Sequence, residues 1–242
     1  MLKGSGLAKS YKGQQILHDI DLQLEAGEIA VIIGPSGSGK TTLLKLLAML
    51  ELPDRGTIGV DDWQCQFPLK DSRQFVPPWP KLTVVFQQLF LWPHMTLLEN
   101  ITMPLQLRQK EGKSERVAEL IELFDMGGFV DRYPNEASLG QKQRAALVRA
   151  LVLEPKYLLL DEITSSLDVE QVAIILAHLK QLAQRGIGIL TITHLLHFAL
   201  EAADRVIFLD DGQIIEHGGK EVLLSPQKER VKKFLSVIQA AT

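Results

Sequence analysis

The chain has 242 residues, 46% of them hydrophobic, a formal net charge of −3 and one cysteine, enough apolar material to bury a core without a partner. The slight negative balance leaves no basic footprint for nucleic acid, and the lone Cys65 cannot close an internal disulfide. No apolar run approaches the roughly 18 residues of a membrane span, and the first residues lack a basic-then-apolar export signal, so the expected setting is the reducing cytoplasm.

Leu2 to Ala8 and Ile16 to Leu24 alternate apolar and polar residues around Gly13, which predicts an antiparallel pair forming an accessory sheet. Glu28 to Ile33 is an apolar run suited to a buried parallel strand, and Thr42 to Glu51 has helical character. Between them lies Gly34-Pro35-Ser36-Gly37-Ser38-Gly39-Lys40-Thr41, which fits a glycine, four residues, then Gly-Lys-Ser/Thr. The chemistry explains the spelling. Glycines let backbone NH groups converge on phosphate oxygens, Lys40 brings a point charge, and Thr41 offers a hydroxyl to Mg2+.

Leu52 to Gly56 reads as a turn and Thr57 to Val60 as a short strand, while residues 61–81, with Trp63, Pro68, Pro77, Pro78, Trp79 and Pro80, read as an irregular loop. Leu82 to Phe86 is a β-branched run ending at Gln87, and the apolar spacing from Met95 to Val130 is mostly helical, implying a helical lobe. Lys156 to Leu160, Ile187 to Thr193 and Arg205 to Leu209 are further short strands separated by helical sequence such as Val169 to Gln184. Such alternation predicts an α/β fold, a parallel sheet with helices on both faces. Asp211-Gly212 marks a hairpin into Gln213 to Glu216, and an amphipathic helix begins near Gln227.

The strand Tyr157 to Leu160 ends in Asp161-Glu162. A buried strand delivers Asp161 to the carboxyl edge of the sheet beside the phosphate loop, where it can hold Mg2+, while Glu162 can orient and deprotonate water.

With these motifs assembled, almost the whole chain resembles the ATP-binding subunits of ABC transporters. Phe86-Gln87 resembles the glutamine loop, Ala137-Ser138-Leu139-Gly140-Gln141 the family signature, Ser165-Ser166-Leu167-Asp168 the aspartate loop, and Thr193-His194 the histidine switch. Tyr11 falls where the family places an aromatic residue against adenine. The signature departs from the family's Leu-Ser-Gly-Gly-Gln at Leu139, a bulky residue where close backbone approach is expected. Ser138 and Gln141 also spell a capping box for the helix running through Leu153, and Asp168 a cap for the helix starting at Val169. His197 is expected on the helix after His194, in a structural role.

The resemblance implies a P-loop NTPase: a RecA-like parallel sheet core with an antiparallel β subdomain and a helical subdomain over about residues 88–153, all within one ATPase domain spanning 1–242. ATP and Mg2+ are the implied cofactors. The implied ATP contacts are Tyr11, Gly34, Ser36, Gly37, Ser38, Gly39, Lys40, Thr41 and Thr42, completed by Ser138, Gly140 and Gln141 of a second subunit packed head to tail. Thr41, Gln87 and Asp161 are the implied metal ligands, and Glu162, His194, Gln87 and Lys40 the catalytic groups. The other implied partners are transmembrane permease subunits and, indirectly, a solute-binding protein, which places the chain peripherally on the cytoplasmic face of the cell membrane. The aromatic run Leu89 to Asn100, with Leu52 to Ile58 and Glu229 to Leu235, looks most like ATPases of polar amino acid importers. Exporter or lipoprotein-release ATPases, and soluble ABC ATPases without transport, share the same engine.

Overall fold

The computed structural model describes residues 1–71, 73, 75–106, 114–165 and 167–241. Two sheets organise it. The first is antiparallel and contains β1 (Leu2–Tyr11), β2 (Gln14–Leu24), β4 (Arg55–Val60) and β5 (Trp63–Phe67), in the order β2-β1-β4-β5. The second contains β3 (Ile29–Ile33), β6 (Leu82–Val85), β7 (Tyr157–Asp161), β8 (Gly188–Ile192), β9 (Arg205–Asp210) and β10 (Gln213–Gly218), in the order β10-β9-β3-β8-β7-β6. Its strands are parallel except β10, which returns antiparallel to β9 through the expected Asp211-Gly212 turn.

Residues 61–81 are less irregular than their proline content predicts. Val60 pairs with Trp63 and Gly56 with Phe67, so Asp61-Asp62 form a two-residue hairpin with Asp61 at φ 55°. Trp63, Cys65 and Phe67 turn inward while Gln64 and Gln66 face solvent. This short alternation is obscured by the tryptophan and prolines around it.

The central sheet does not carry helices alike on both faces. Period-2 alternation sends Ile29, Val31 and Ile33 into one core with the apolar faces of α4 (Leu139–Leu151), α5 (Val169–Gln184) and α6 (Leu196–Ala202). Ala30 and Ile32 enter the other, shared with α1 (Lys40–Leu47) and the antiparallel sheet through Leu2, Leu7 and Leu17. A strand with five fully buried residues is therefore covered by helices on one side and mostly by a second sheet on the other.

The helical lobe contains α2 (Leu97–Gln106) and α3 (Ser114–Leu123), and turns between Phe124 and Arg132 replace a continuing helix. Residues 107–113 of the expected lobe lie outside the described residues. The one-turn helix α7 (Glu221–Leu224) and the longer α8 (Glu229–Ala241) follow β10. Among the described residues no helix is long and apolar enough to cross a membrane.

Candidate nucleotide site

Strand register assembles the site. Val85 lies opposite Leu160, Asp161 opposite Ile192, and Ile32 opposite Ile192. The carboxyl ends of β3, β6, β7 and β8 are thus level, and whatever follows each strand emerges on one edge. The phosphate loop follows β3, Gln87 follows β6, Glu162 follows β7, and His194 follows β8.

The loop is shaped by crowding. A Cβ on Gly34 would run into the Leu209 carbonyl oxygen, so only glycine fits there. Gly39, the N-cap of α1, has φ 100°, and a Cβ there would meet Leu17 at 2.8 Å. The helix consequently starts at Lys40, two residues earlier than its sequence periodicity suggests, and its free NH groups face the loop. Lys40 is buried, and its Nζ donates to the carbonyls of Gly34 at 2.9 Å and Pro35 at 2.7 Å. Burial pulls its ammonium below the ordinary lysine range, opposed by the carboxylates of Glu162, Asp161 and Asp210. Ser38 Oγ is buried without a hydrogen-bond partner among the described residues, so its hydroxyl is available to an anion's oxygen.

Thr41 Oγ1 donates to Asp161 Oδ1 at 3.2 Å. Asp161 is buried, and that burial raises its carboxyl above the usual range; the Thr41 hydrogen bond opposes the rise, and neighbouring Glu162 adds to it. A hydroxyl–carboxylate pair with its carboxylate buried, beside a phosphate-binding loop, is a hard oxygen donor set suited to Mg2+. A cation there would offset the cost of keeping the Asp161 charge out of water.

Glu162 lies one residue beyond the strand in left-handed backbone, φ 50°. Its NH still donates to the Ile192 carbonyl at 3.0 Å, and its carbonyl accepts from the Ser165 NH at 3.1 Å and from Ser165 Oγ at 2.8 Å. These bonds hold the turn, which places Glu162 Oε1 2.6 Å from His194 Nε2. His194 is supported in turn by Thr193, whose Oγ1 accepts from the Leu195 NH at 3.1 Å and lies 3.4 Å from Thr164 Oγ1. His197 lies on α6, exposed.

Gln87 Nε2 donates to Ser165 Oγ at 3.0 Å, which leaves its amide oxygen for a metal or water. Two clefts meet at Thr41. One, of about 240 Å³, is lined by Ser36, Gly37, Gly39, Lys40, Thr41, Thr42, Glu162 and His194. The other, of about 460 Å³, brings Thr41, Asp161 and Gln87 together. Neither is lined by Tyr11, Ser138, Gly140 or Gln141.

Ser138, Gly140 and Gln141 line neither cleft, while Tyr11 lies beside both through hydrogen bonds to Thr42 and Glu51, which line them. Tyr11 ends β1, exposed, with its hydroxyl donating to Glu51. Ser138 caps α4: its Oγ accepts from the Gln141 NH at 3.3 Å, while Gln141 Oε1 accepts from the Ser138 NH at 3.0 Å. This is the reciprocal box its sequence spells. Leu139 is 38% exposed, whereas Gly140 is buried against Gln171. Asp168 caps α5 by accepting from the Gln171 NH at 2.8 Å; Ser166 of the same loop lies outside the described residues.

Sequence reasoning passed over two groups: Ser165 as the partner of Gln87, and Glu51 as the partner of Tyr11. The separations, 78 and 40 residues, leave no local signal. The aromatic run after Gln87 splits, with Leu89, Leu91 and Leu98 packed on the core and Phe90 and Trp92 outward. Trp92 borders a groove of about 350 Å³ with Trp79, Met103, Pro104 and Arg149.

Residues 17–165 match the family model described as ABC transporter. The chain is 43% identical to the L-cystine import ATP-binding protein TcyC of Bacillus subtilis, covering 98% of each. It is 38% identical to the arginine transport ATP-binding protein ArtM of the same organism, covering 98% of this chain and 100% of that one. Among solved structures, a dimeric ATP-binding cassette in a post-hydrolysis state bound to ADP and Pi superposes with a TM-score of 0.79 at 31% identity, over 91% of this chain and 99% of that one. With the phosphate loop, the Asp161-Glu162 strand end and His194 on one sheet edge, the chain belongs to the ABC transporter family and is an ATPase cassette of it.

Proposed function

We propose that this ATPase energises uptake of a polar amino acid through separate transmembrane subunits, working as a head-to-tail pair at the cytoplasmic face of the membrane with ATP and Mg2+. The observation that carries the enzymatic part is the convergence of Lys40, Thr41, Asp161, Glu162 and His194 on one edge. The transport part is supported by relatives whose names specify L-cystine import and arginine transport. These two solutes differ, in keeping with an ATPase that never touches its cargo.

The residues fit the cofactors: the Ser38 hydroxyl and the glycine-walled loop suit phosphate oxygens, and the Thr41–Asp161 pair suits a hard cation. Bound Mg2+ would neutralise charge on the β- and γ-phosphates. Lys40 binds phosphate once its ammonium turns from the Gly34 and Pro35 carbonyls. Glu162, held by its turn, accepts a proton from water, and His194 Nε2 orients the Glu162 carboxylate or, once turned from it, donates to a phosphate oxygen. Gln87, anchored on Ser165 at the entrance to the helical lobe, moves with that lobe and so places or withdraws its amide oxygen. The Ser138 hydroxyl, which accepts within the α4 cap and keeps its own proton, offers a donor to the nucleotide held by the other subunit at that helix N-terminus. The Trp92 groove, open beside the Gln87 segment, suits a helix of a transmembrane subunit.

Glu162→Gln should keep ATP binding and lose about 10²–10⁴-fold in turnover, the range of a lost general base; wild-type-like turnover removes Glu162 from that role. Reconstitution with the transmembrane subunits tests transport: a solute-loaded binding protein should stimulate hydrolysis, and a panel of polar amino acids that all fail to do so would refute import of this class.

A further inference from the structure

Tyr11 is held by a frame of side chains beside the phosphate loop, with Thr42 of α1 hydrogen-bonded to its hydroxyl. Its hydroxyl donates to Glu51 Oε2, and the other oxygen of Glu51 accepts from Lys45 Nζ at 3.1 Å. Lys45 lies on α1, one turn beyond Thr41. On the strand side, Lys9 Nζ sits 5.4 Å from the Tyr11 ring centroid and donates to the Leu52 carbonyl at 2.7 Å, while the Ser10 NH donates to Asp54 Oδ2 at 2.7 Å. The end of β1 is thereby pinned to residues 51–54, which follow α1. The Tyr11 hydrogen bond is the first cause holding the Glu51 carboxyl below its ordinary range, and partial burial followed by the Glu51 bond raises the phenol. Both shifts favour a phenol donating to a carboxylate.

A tyrosine that is 40% exposed at a strand end has free rotamers unless something fixes it. Beside the Thr42 bond, Glu51 supplies that constraint by bridging the phenol, through Lys45, to the helix that begins at the phosphate loop. We propose that Glu51 is a positioning residue for the base of the nucleotide: by tying the Tyr11 hydroxyl to α1, it fixes the aromatic ring at a set distance from the phosphate loop. The inference rests on the reading of Tyr11 as the surface that stacks on adenine. A ring fixed before binding costs no ordering when the base arrives. The effect is confined to ligands that carry a base.

The test is calorimetric titration of the full-length chain with ATP and, separately, with inorganic triphosphate, which has phosphates but no base. Glu51→Ala should weaken ATP about three- to ten-fold, the range of one hydrogen bond, and leave triphosphate affinity within about two-fold. Tyr11→Phe should weaken ATP similarly, and Tyr11→Phe with Glu51→Ala should be no weaker than the worse single variant, because the two act through one bond. Glu51→Gln, whose single amide oxygen still accepts from the phenol but whose NH2 cannot accept from Lys45, should restore only part of the affinity. Equal losses for ATP and triphosphate would overturn the proposal, since Glu51 would then act on the whole loop. Unaltered ATP affinity in Glu51→Ala alongside a loss in Tyr11→Ala would overturn it while leaving the stacking reading intact. Unaltered affinity in Tyr11→Ala would remove the stacking reading itself, and the proposal with it.

Discussion

Asp161 carries a conflict between stability and function. Burial raises its carboxyl, so ionising it costs the nucleotide-free protein stability. The folded state binds the proton more tightly than the unfolded chain does; that contribution is present at low pH and is lost as pH rises through the folded-state value. At neutral pH Asp161→Asn removes the buried charge and keeps an oxygen for the Thr41 hydroxyl. It should therefore raise the melting temperature without nucleotide, by roughly 2–4 °C for each kcal/mol recovered, while abolishing Mg2+-dependent hydrolysis. Differential scanning calorimetry beside an ATPase assay checks both, and a lowered melting temperature would show that the charge is compensated within the fold. The placement of Asp161 and Glu162 at the carboxyl end of β7 was legible from two acids ending an apolar strand. That Glu162 adopts left-handed backbone to reach His194 was not, because the turn is held by Ile192 and Ser165 from beyond the strand.

Between elements, α4 is tied to the segment after β6 by one side chain. Arg149 donates to the carbonyls of Phe90 at 2.7 Å and Leu89 at 2.6 Å, and its guanidinium lies 5.5 Å from the Trp92 ring centroid. Burial holds its pKa below the ordinary arginine range. One end of α4 carries the Ser138 cap and the other this anchor, so the signature helix and the Gln87 segment are mechanically joined. Arg149→Met should cost about 1–3 kcal/mol through carbonyls left without a donor, measured by urea denaturation. Arg149→Lys should recover little, because a single ammonium lacks the planar fork that serves two carbonyls. A Lys variant as stable as the wild type would mean that the contact acts through charge alone. The caps of α4 and α5 were readable as Ser-x-x-Gln and an Asp before a helical run; the Arg149 bridge, spanning 59 and 60 residues, was not.

At the scale of the molecule, the phosphate loop and the signature line neither cleft at Thr41 together in one chain, and the related cassette of known structure is dimeric. If each site combines one subunit's loop with the other's signature, two defective chains can complement. Lys40→Ala and Ser138→Arg should each be inactive alone, yet an equimolar mixture should recover measurable hydrolysis, because about half of the randomly formed pairs are heterodimers and each heterodimer contains one intact composite site. Recovery is measured against each variant at the same total concentration, and a mixture no more active than its components would contradict the head-to-tail arrangement. The same separation explains why Leu139 is harmless to the fold: it is exposed on α4, whereas Gly140 packs against Gln171.

The order of motifs, the apolar strands and the chemistry of the phosphate loop follow from local sequence, since each depends on spacings of two to eight residues. Long-range packing settled the rest. It formed the β4–β5 hairpin within a proline-rich stretch and replaced helices by a second sheet on one face of the core. It also selected which groups meet across long separations: Thr41 with Asp161, Glu162 with His194, Gln87 with Ser165 and Tyr11 with Glu51. The physical reason is that local periodicity fixes which side of an element a residue occupies, whereas its partners are set by the strand order β3-β8-β7-β6 and the register that levels those four carboxyl ends.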